Sequence, residues 1–293
     1  MSTRVLPEFR LIVPSTVDDA IRILGERQEK VSILAGGTDI LVEMKCTEKG
    51  AETLIKIGRL SELDFITYTP EDGLSIGCLT LVRTILDSPI MKQRFPLMVD
   101  AARDFANVQI MNMGTLGGNV CNASPAGDFL PCLLAMNAEV VLRSLAGQRH
   151  VKISEFFTGP RKCQIRRDEI AVAITAPGQA NQYTSGFVRF TRTAEDLAKV
   201  SAAVMLNVTD GRFRDVRIAL GSVAPTPIRV PAAEVFLENK DVSDAVIGEA
   251  AIIAQGAVSP ISDLRSTADY RIAITRVAVK RAIALALTRG NAQ

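Results

Sequence analysis

The sequence predicts an α+β fold, with a two-lobed N-terminal domain followed by a C-terminal α+β domain of antiparallel sheet and helices. A strand, a glycine turn, a helical run and a second strand follow one another within the first 58 residues. A strand-rich stretch begins at the turn signal Asp72-Gly73. PGQANQYTSG (177–186) has no periodicity and predicts a linker. The expected limits are 1–176 for the first domain, with lobes of about 1–58 and 59–176, and 187–289 for the second.

The first lobe is predicted from a helix and two short strands. Val17, Ile21 and Leu24 recur at helical spacing after the N-cap candidates Ser15 and Thr16. The apolar run VSILA predicts a strand, ILVEMK a helix and TLIKIG (53–58) a second strand.

The second lobe combines broken helices with strands. The run from Thr80 to Ala106 predicts helices interrupted at Pro89 and Pro96. Residues 107–132 contain small, polar and glycine residues, so we expect an irregular, functional loop. AEVVLRS and RHVKI then predict a hairpin around Ala146-Gly147.

The C-terminal domain is predicted as a hairpin plus helices. Apolar strands meet at Asp210-Gly211, a pair typical of tight hairpin turns. Two amphipathic runs near the end predict helices, and we expect the basic residues there to lie in solvent: Arg265, Arg271, Arg276, Lys280 and Arg281.

Composition excludes several function classes. The net charge of +2, the absence of Trp and an aromatic content of 5% disfavour a nucleic-acid partner. The five cysteines form no CxxC pair, which predicts reduced thiols and no metal site. His150, the only histidine, lies in the strand-like RHVKI, where we expect it at the surface, and this excludes a His-dependent triad. Without a long apolar run, we expect a cytoplasmic protein with no membrane span.

The turn Gly36-Gly37-Thr38-Asp39 has two interpretations. Glycine supplies the positive φ of a tight turn, and Thr38 or Asp39 can cap the helix that follows. Alternatively, the backbone N–H groups at this helix N-terminus form a cradle for a pyrophosphate. Neither GxGxxG nor GxxxxGK[ST] occurs, which disfavours a Rossmann site and a P-loop.

A second glycine stretch repeats this theme. Gly114-Thr115-Leu116-Gly117-Gly118-Asn119 is either an irregular structural loop or a second phosphate loop. Two such loops could hold both phosphates of one dinucleotide, with a nearby Asp on a hydroxyl. Because no triad, metal set or catalytic carboxylate pair is recognisable, the chain is predicted to hold a cofactor that performs the chemistry, with no catalytic side chain.

Several stretches together carry a family resemblance. AGGTDILVEMK, MGTLGGNVCNASPAGDFLPCLLAMNAEVVLRS and GFVRFTRTAEDLAKVSAAV resemble the FAD-binding (medium) subunit of the molybdenum hydroxylases, which include carbon monoxide and xanthine dehydrogenases. GSVAPTPIRVPAAEVFL and SDLRSTADYRIAITRVAVKRAI resemble the C-terminal domain of the same family.

The resemblance implies noncovalent FAD between the two N-terminal lobes, in a fold of the vanillyl-alcohol-oxidase type. It implies that the pyrophosphate is wrapped by Ala35, Gly36, Gly37, Thr38 and Asp39, which Ile33 and Leu34 precede. It also implies a second loop on the phosphate side, formed by Thr115, Gly117, Gly118 and Asn119. It further places Ser124 and Asp128 on ribityl or ribose hydroxyls and Ile170 near the flavin. Arg189 stands where the family usually has Lys, and a planar fork differs in geometry from a point charge.

The resemblance also implies partners. A large subunit would carry molybdopterin and a small subunit the [2Fe–2S] clusters, and the flavin would pass electrons to an external acceptor such as NAD, a quinone or oxygen. Two alternatives are a self-sufficient FAD oxidase and a non-catalytic assembly subunit.

Overall fold

The chain begins with a lobe built on a three-stranded parallel sheet of order β1-β3-β2. The computed structural model describes residues 5–26, 29–47, 51–178 and 183–290. The predicted helix is confirmed, and it buries Val17, Ile21 and Leu24. The elements of this lobe are β1 (Arg10–Ile12), α1 (Val17–Glu26), β2 (Val31–Leu34), α2 (Ile40–Thr47) and β3 (Thr53–Lys56).

The second lobe contains a five-stranded antiparallel sheet of order β4-β5-β10-β6-β7, covered by short helices. Pro89 and Pro96 each begin a helix, where a missing N–H costs nothing. The strands are β4 (Ile66–Thr69), β5 (Gly73–Gly77), β6 (Glu139–Ser144), β7 (Gly147–Lys152), β8 (Phe157–Gly159), β9 (Lys162–Cys163) and β10 (Ile170–Ala176). The helices are α3 (Val82–Asp87), α4 (Pro89–Arg94), α5 (Pro96–Arg103), α6 (Val108–Met111), α7 (Leu116–Cys121), α8 (Phe129–Ala135) and α9 (Ile153–Phe156).

The expectation of an irregular loop over 107–132 was wrong, because three short helices occupy it. Asn107 caps α6 by accepting a hydrogen bond from the Ile110 N–H at 3.0 Å, and Thr115 caps α7 in the same way through the Gly118 N–H. Helices of one or two turns do not show the repeated apolar spacing that identifies a helix in a sequence.

The C-terminal unit is a four-stranded antiparallel sheet with three helices. Asp210 and Gly211 both have positive φ, as the predicted tight hairpin turn requires. Successive residues of the central strand face opposite sides, so Ala203 and Met205 join the core of the second lobe while Ala202 and Val204 pack under the helices. The elements are β11 (Thr184–Phe190), β12 (Val200–Thr209), β13 (Arg212–Gly221), β14 (Ile228–Arg229), α10 (Pro231–Leu237), α11 (Asp244–Gly256) and α12 (Ala268–Gly290).

Two further expectations need correction. Residues 184–186 belong to β11, although 177–186 reads as a linker; residues 179–182 lie outside the described part of the chain. Arg271 is not in solvent. Its side chain is 6% exposed and donates to the carbonyls of Lys199 and Ser222, because the last helix packs this face against the sheet. The α+β class itself is confirmed, and within the described ranges no helix is long and apolar enough to cross a membrane.

The end of α12 is joined to the second lobe by an ion pair. Arg289 donates to both carboxylate oxygens of Asp100 at 2.7 and 2.8 Å, and Asp100 is nearly buried. We expect Arg289→Met to destabilise the chain by about 1–2 kcal/mol, because a largely buried carboxylate loses its bidentate partner. Urea unfolding would measure this cost, and a value within error of zero would contradict it.

Candidate functional site

A cleft of about 500 Å³ lies between the two N-terminal lobes. Most of the residues predicted for the cofactor line it: Ile33, Ala35, Gly36, Gly37, Thr38, Asp39, Thr115, Gly117, Gly118, Asn119 and Ile170. Its volume is within the usual range for cofactor and ligand pockets. The topology thus brings both glycine stretches and the start of β10 to one place.

The first glycine stretch joins β2 to α2. Gly37 has φ +78°, a conformation that glycine adopts without strain. Among the described residues, the amides from Gly36 to Ile40 donate no hydrogen bond to another protein group. These N–H groups at the start of an eight-residue helix are therefore available to an anion.

The second glycine stretch begins α7 and is fastened to the strand-rich core. The Leu116 N–H donates to the Thr80 carbonyl at 3.0 Å, and the Gly117 N–H donates to the Cys78 carbonyl at 2.9 Å. A Cβ on Gly117 would lie 2.5 Å from the Cys78 Cβ. This glycine therefore allows helix and strand to approach closely.

The two glycine stretches touch each other. A Cβ on Gly36 would overlap the carbonyl oxygen of Met113, which immediately precedes the second stretch. The missing side chain at Gly36 thus makes room for protein backbone, and this contact sets the width of one end of the cleft.

Charge in the cleft comes mainly from carboxylates. Asp39, Glu43 and Glu169 line it. Partial desolvation raises the pKa of Asp39, an effect that Arg161 opposes. Arg149 holds the pKa of Glu169 below its usual range through hydrogen bonds of 2.6 and 2.8 Å.

Two thiols also face the cleft. Cys78 and Cys121 line it, and burial raises the pKa of Cys121 to about 12. Both cysteines stay protonated at neutral pH and are therefore poor nucleophiles. No group of three or more His, Cys, Asp or Glu residues within the described ranges is placed to hold a metal.

Four residues predicted for the site lie outside the cleft lining, and their roles stay predictions. Leu34 is buried in the first lobe, and the Ser124 hydroxyl accepts from the Ala126 N–H at 3.4 Å. Asp128 and Arg189 form an ion pair of 3.0 Å whose side chains are 7% and 5% exposed. Burial raises the pKa of Asp128 to about 6, although Arg189 acts against the rise.

Sequence reasoning missed several residues that line the cleft: Glu43, Cys78, Leu79, Phe105, Cys121, Asn122, Arg161, Ile165 and Glu169. Asn122 lies three residues after the second glycine motif and could have been included on that ground. Arg161 has no signal in the sequence, because it reaches the cleft only through the turn between β8 and β9.

The cleft fits a dinucleotide cofactor. Free amides at the first glycine stretch are donors for phosphate. The Oδ1 atom of Asn119 is buried without a hydrogen-bond partner among the described residues, so it can accept from a sugar or ribityl hydroxyl. FAD requires donors for its phosphates, acceptors for its hydroxyls and an apolar surface for its rings. The cleft supplies that apolar surface at Ile33, Leu79 and Ile170.

Comparison with known protein families gives two matches in chain order. The FAD binding domain in molybdopterin dehydrogenase matches residues 7–179, and the CO dehydrogenase flavoprotein C-terminal domain matches residues 185–286.

Individual relatives span almost the whole chain. The carbon monoxide dehydrogenase medium chain of Hydrogenophaga pseudoflava is 32% identical over 97% of this chain and 98% of its own length. The xanthine dehydrogenase FAD-binding subunit of Escherichia coli O157:H7 is 30% identical over 93% and 94%.

Solved structures agree with these matches. A chain of the carbon monoxide dehydrogenase from Hydrogenophaga pseudoflava that lacks the Mo-pyranopterin moiety superposes with a TM-score of 0.94 at 33% identity, covering 97% of this chain and 99% of that one. A chain of quinoline 2-oxidoreductase from Pseudomonas putida 86 gives a TM-score of 0.91 at 25% identity, covering 96% and 98%. The chain therefore belongs to the family of FAD-binding medium subunits of the molybdenum hydroxylases.

Proposed function

We propose that this chain is the flavoprotein subunit of a heteromeric molybdenum-containing hydroxylase or dehydrogenase. In this proposal a small partner subunit delivers electrons from [2Fe–2S] clusters, and a large partner subunit carries molybdopterin and the substrate site. The observation that carries the proposal is the cleft between two touching glycine stretches, in a chain whose relatives are named as medium chains and FAD-binding subunits.

The cleft residues, with the buried Asp128–Arg189 pair outside the cleft lining, would each hold or support one part of FAD. The amides of Gly36–Asp39 would bind the diphosphate. The start of α7 would lie beside it without donating, because the amides from Leu116 to Asn119 already donate within the protein, and Asn119 would accept from a hydroxyl. Asp128 keeps its Oδ1 without a partner in the described chain, which supports a hydroxyl contact there. Ile170 would pack on the flavin, and Arg189 would act through Asp128.

When bound, FAD supplies the exchange between one-electron donors and a two-electron acceptor. The chain's own residues would bind and orient it, and their side chains would not need to transfer protons. The acceptor would be NAD, a quinone or oxygen. Anaerobic reduction of the bound flavin followed by each acceptor in turn identifies it, since only a competent acceptor restores the oxidised spectrum.

We expect FAD to be bound noncovalently. His150 lies exposed on β7, and the cleft thiols are held protonated by burial, so neither residue type is suited to flavin attachment. The purified chain should show a flavin spectrum, and acid precipitation should move the yellow colour into the supernatant.

The same measurement separates the alternatives. Colour that stays in the pellet would indicate covalent flavin and favour a self-sufficient oxidase. A colourless chain that does not take up added FAD would favour a non-catalytic assembly subunit.

A further inference from the structure

Arg161 is the one cation among the described residues that line the cleft. The other charged residues there are Asp39, Glu43 and Glu169, and Glu169 is already paired with Arg149. FAD carries a doubly negative diphosphate, which these carboxylates would repel. Among these side chains, Arg161 alone can offset that repulsion.

The backbone of Arg161 is held in place by the second lobe. The residue lies at the turn between β8 and β9 with φ +57°, a left-handed conformation that non-glycine residues rarely adopt. Its N–H donates to the Ala123 carbonyl at 2.9 Å. The start of its side chain is therefore fixed beside the segment that follows α7.

The guanidinium of Arg161 extends from the second lobe to the first. One nitrogen donates to Glu43 on α2 at 3.0 Å and to Asn122 at 3.4 Å. The Arg161 and Glu43 side chains are 55% and 53% exposed, and an ion pair so exposed contributes little to stability. Stability alone therefore does not account for an arginine in this strained position.

We propose that Arg161 gives up its ion pair with Glu43 when FAD binds and donates instead to the FAD diphosphate. The two lobes would then be joined through the bound cofactor. This inference rests on the proposed function. The planar guanidinium can donate two parallel hydrogen bonds to phosphate oxygens, as it does to a carboxylate. Glu43 is then a competitor that occupies Arg161 when FAD is absent.

The test is the dissociation constant of the full chain for FAD and for riboflavin, which lacks phosphates. We expect Arg161→Gln to weaken FAD binding by roughly 10- to 100-fold and to leave riboflavin binding unchanged, because only the diphosphate loses a charged donor. Glu43→Gln should tighten FAD binding by about 2- to 10-fold, since it removes the competitor. The salt dependence of FAD binding should fall in Arg161→Gln and persist in Glu43→Gln.

The matched control is Arg83→Gln. Arg83 has a similar exposed pair with Asp87 on α3 and does not line the cleft, so both affinities should stay at the wild-type value. If Arg161→Gln binds FAD as Arg83→Gln does, or loses FAD and riboflavin equally, the inference is overturned and the proposed function stands. If the wild-type chain binds no FAD, the proposed function fails and the inference fails with it.

Discussion

Gly36→Ala is expected to weaken FAD binding by about 100-fold and to destabilise the chain by about 2–3 kcal/mol. The added Cβ would overlap the carbonyl oxygen of Met113, and both atoms are bonded directly to the backbone. The two glycine stretches must then move apart, which widens the cleft where several amides converge. Fluorescence titration with FAD and urea unfolding of the FAD-free chain measure the two effects.

The size of the expected loss of FAD affinity follows from the displacement of the backbone amides that would bind the diphosphate. Neither atom is the end of a flexible side chain, so no rotamer change relieves the overlap. Losing alignment of one or two charge-assisted hydrogen bonds to phosphate costs roughly 1.5–3 kcal/mol each. A hundredfold loss of affinity corresponds to about 2.8 kcal/mol, which is within that range.

Gly248→Ala is the matched control for Gly36→Ala. Gly248 lies within α11, and a Cβ there would meet no atom within 4 Å. Because alanine is the better helix former, this change should stabilise the chain by up to about 1 kcal/mol without changing FAD affinity. If Gly36→Ala behaves like Gly248→Ala, the contact between the two glycine stretches does not determine the width of the cleft.

The first lobe illustrates what local sequence can predict. VSILA, the glycine turn and ILVEMK are consecutive, so the strand, turn and helix follow from neighbouring residues alone. The need for glycine at position 36 cannot be predicted in this way, because the backbone group that Gly36 contacts belongs to Met113, 77 positions further along the chain. A glycine that makes room for a distant backbone carbonyl has the same local sequence as one in a simple turn.

The second lobe shows the opposite limit. Arg161 reaches the cleft because a two-stranded hairpin folds back over α7, and nothing within the residues GPRKC indicates this. The burial of Asp128 against Arg189 likewise joins α8 to β11, which are remote in sequence. Both glycine stretches could be recognised from the sequence, whereas the charges around them depend on the tertiary fold.

Arg189→Met is expected to destabilise the chain by about 3 kcal/mol at pH 8, and by less at pH 5. The change leaves Asp128 without its cationic partner at a site where its side chain is 7% exposed. It also removes the donors to the carbonyls of Ala194 and Asp196, at 2.6 and 3.2 Å. Urea unfolding of the FAD-free chain at several pH values measures this deficit.

The sign of the pH dependence follows from the raised pKa of Asp128. Because this pKa is about 6 in the folded chain, against an ordinary value of 3.8 for a solvated aspartate, the folded chain keeps a proton that the unfolded chain releases over that window. The contribution of Asp128 to stability is therefore full below pH 3.8 and is lost as the pH rises through about 6. Without Arg189 the folded pKa rises further, so the loss extends to higher pH and the deficit grows between pH 5 and pH 8.

Arg143→Met provides the control, because Arg143 makes an exposed ion pair with Asp18 at 2.8 Å. Its cost should be below about 1 kcal/mol and nearly independent of pH between 5 and 8. The double variant Asp128→Asn with Arg189→Met should recover part of the deficit, since no buried carboxylate is left unpaired. The loss of stability in Arg189→Met could instead equal that in Arg143→Met, or stay constant with pH. Either result would show that the Asp128–Arg189 pair contributes no more to stability than an exposed ion pair.

Arg189→Lys distinguishes the positive charge from the planar fork. Lysine can keep the attraction to Asp128, but its single ammonium cannot reproduce the spread of donors that reaches Asp128 and two carbonyls at once. We expect a cost of about 1–2 kcal/mol, between the wild type and Arg189→Met, with a weaker pH dependence because a cation remains beside the carboxylate. A fully stable Arg189→Lys chain would mean that the segment from Ala194 to Asp196 needs no hydrogen bonds from this position.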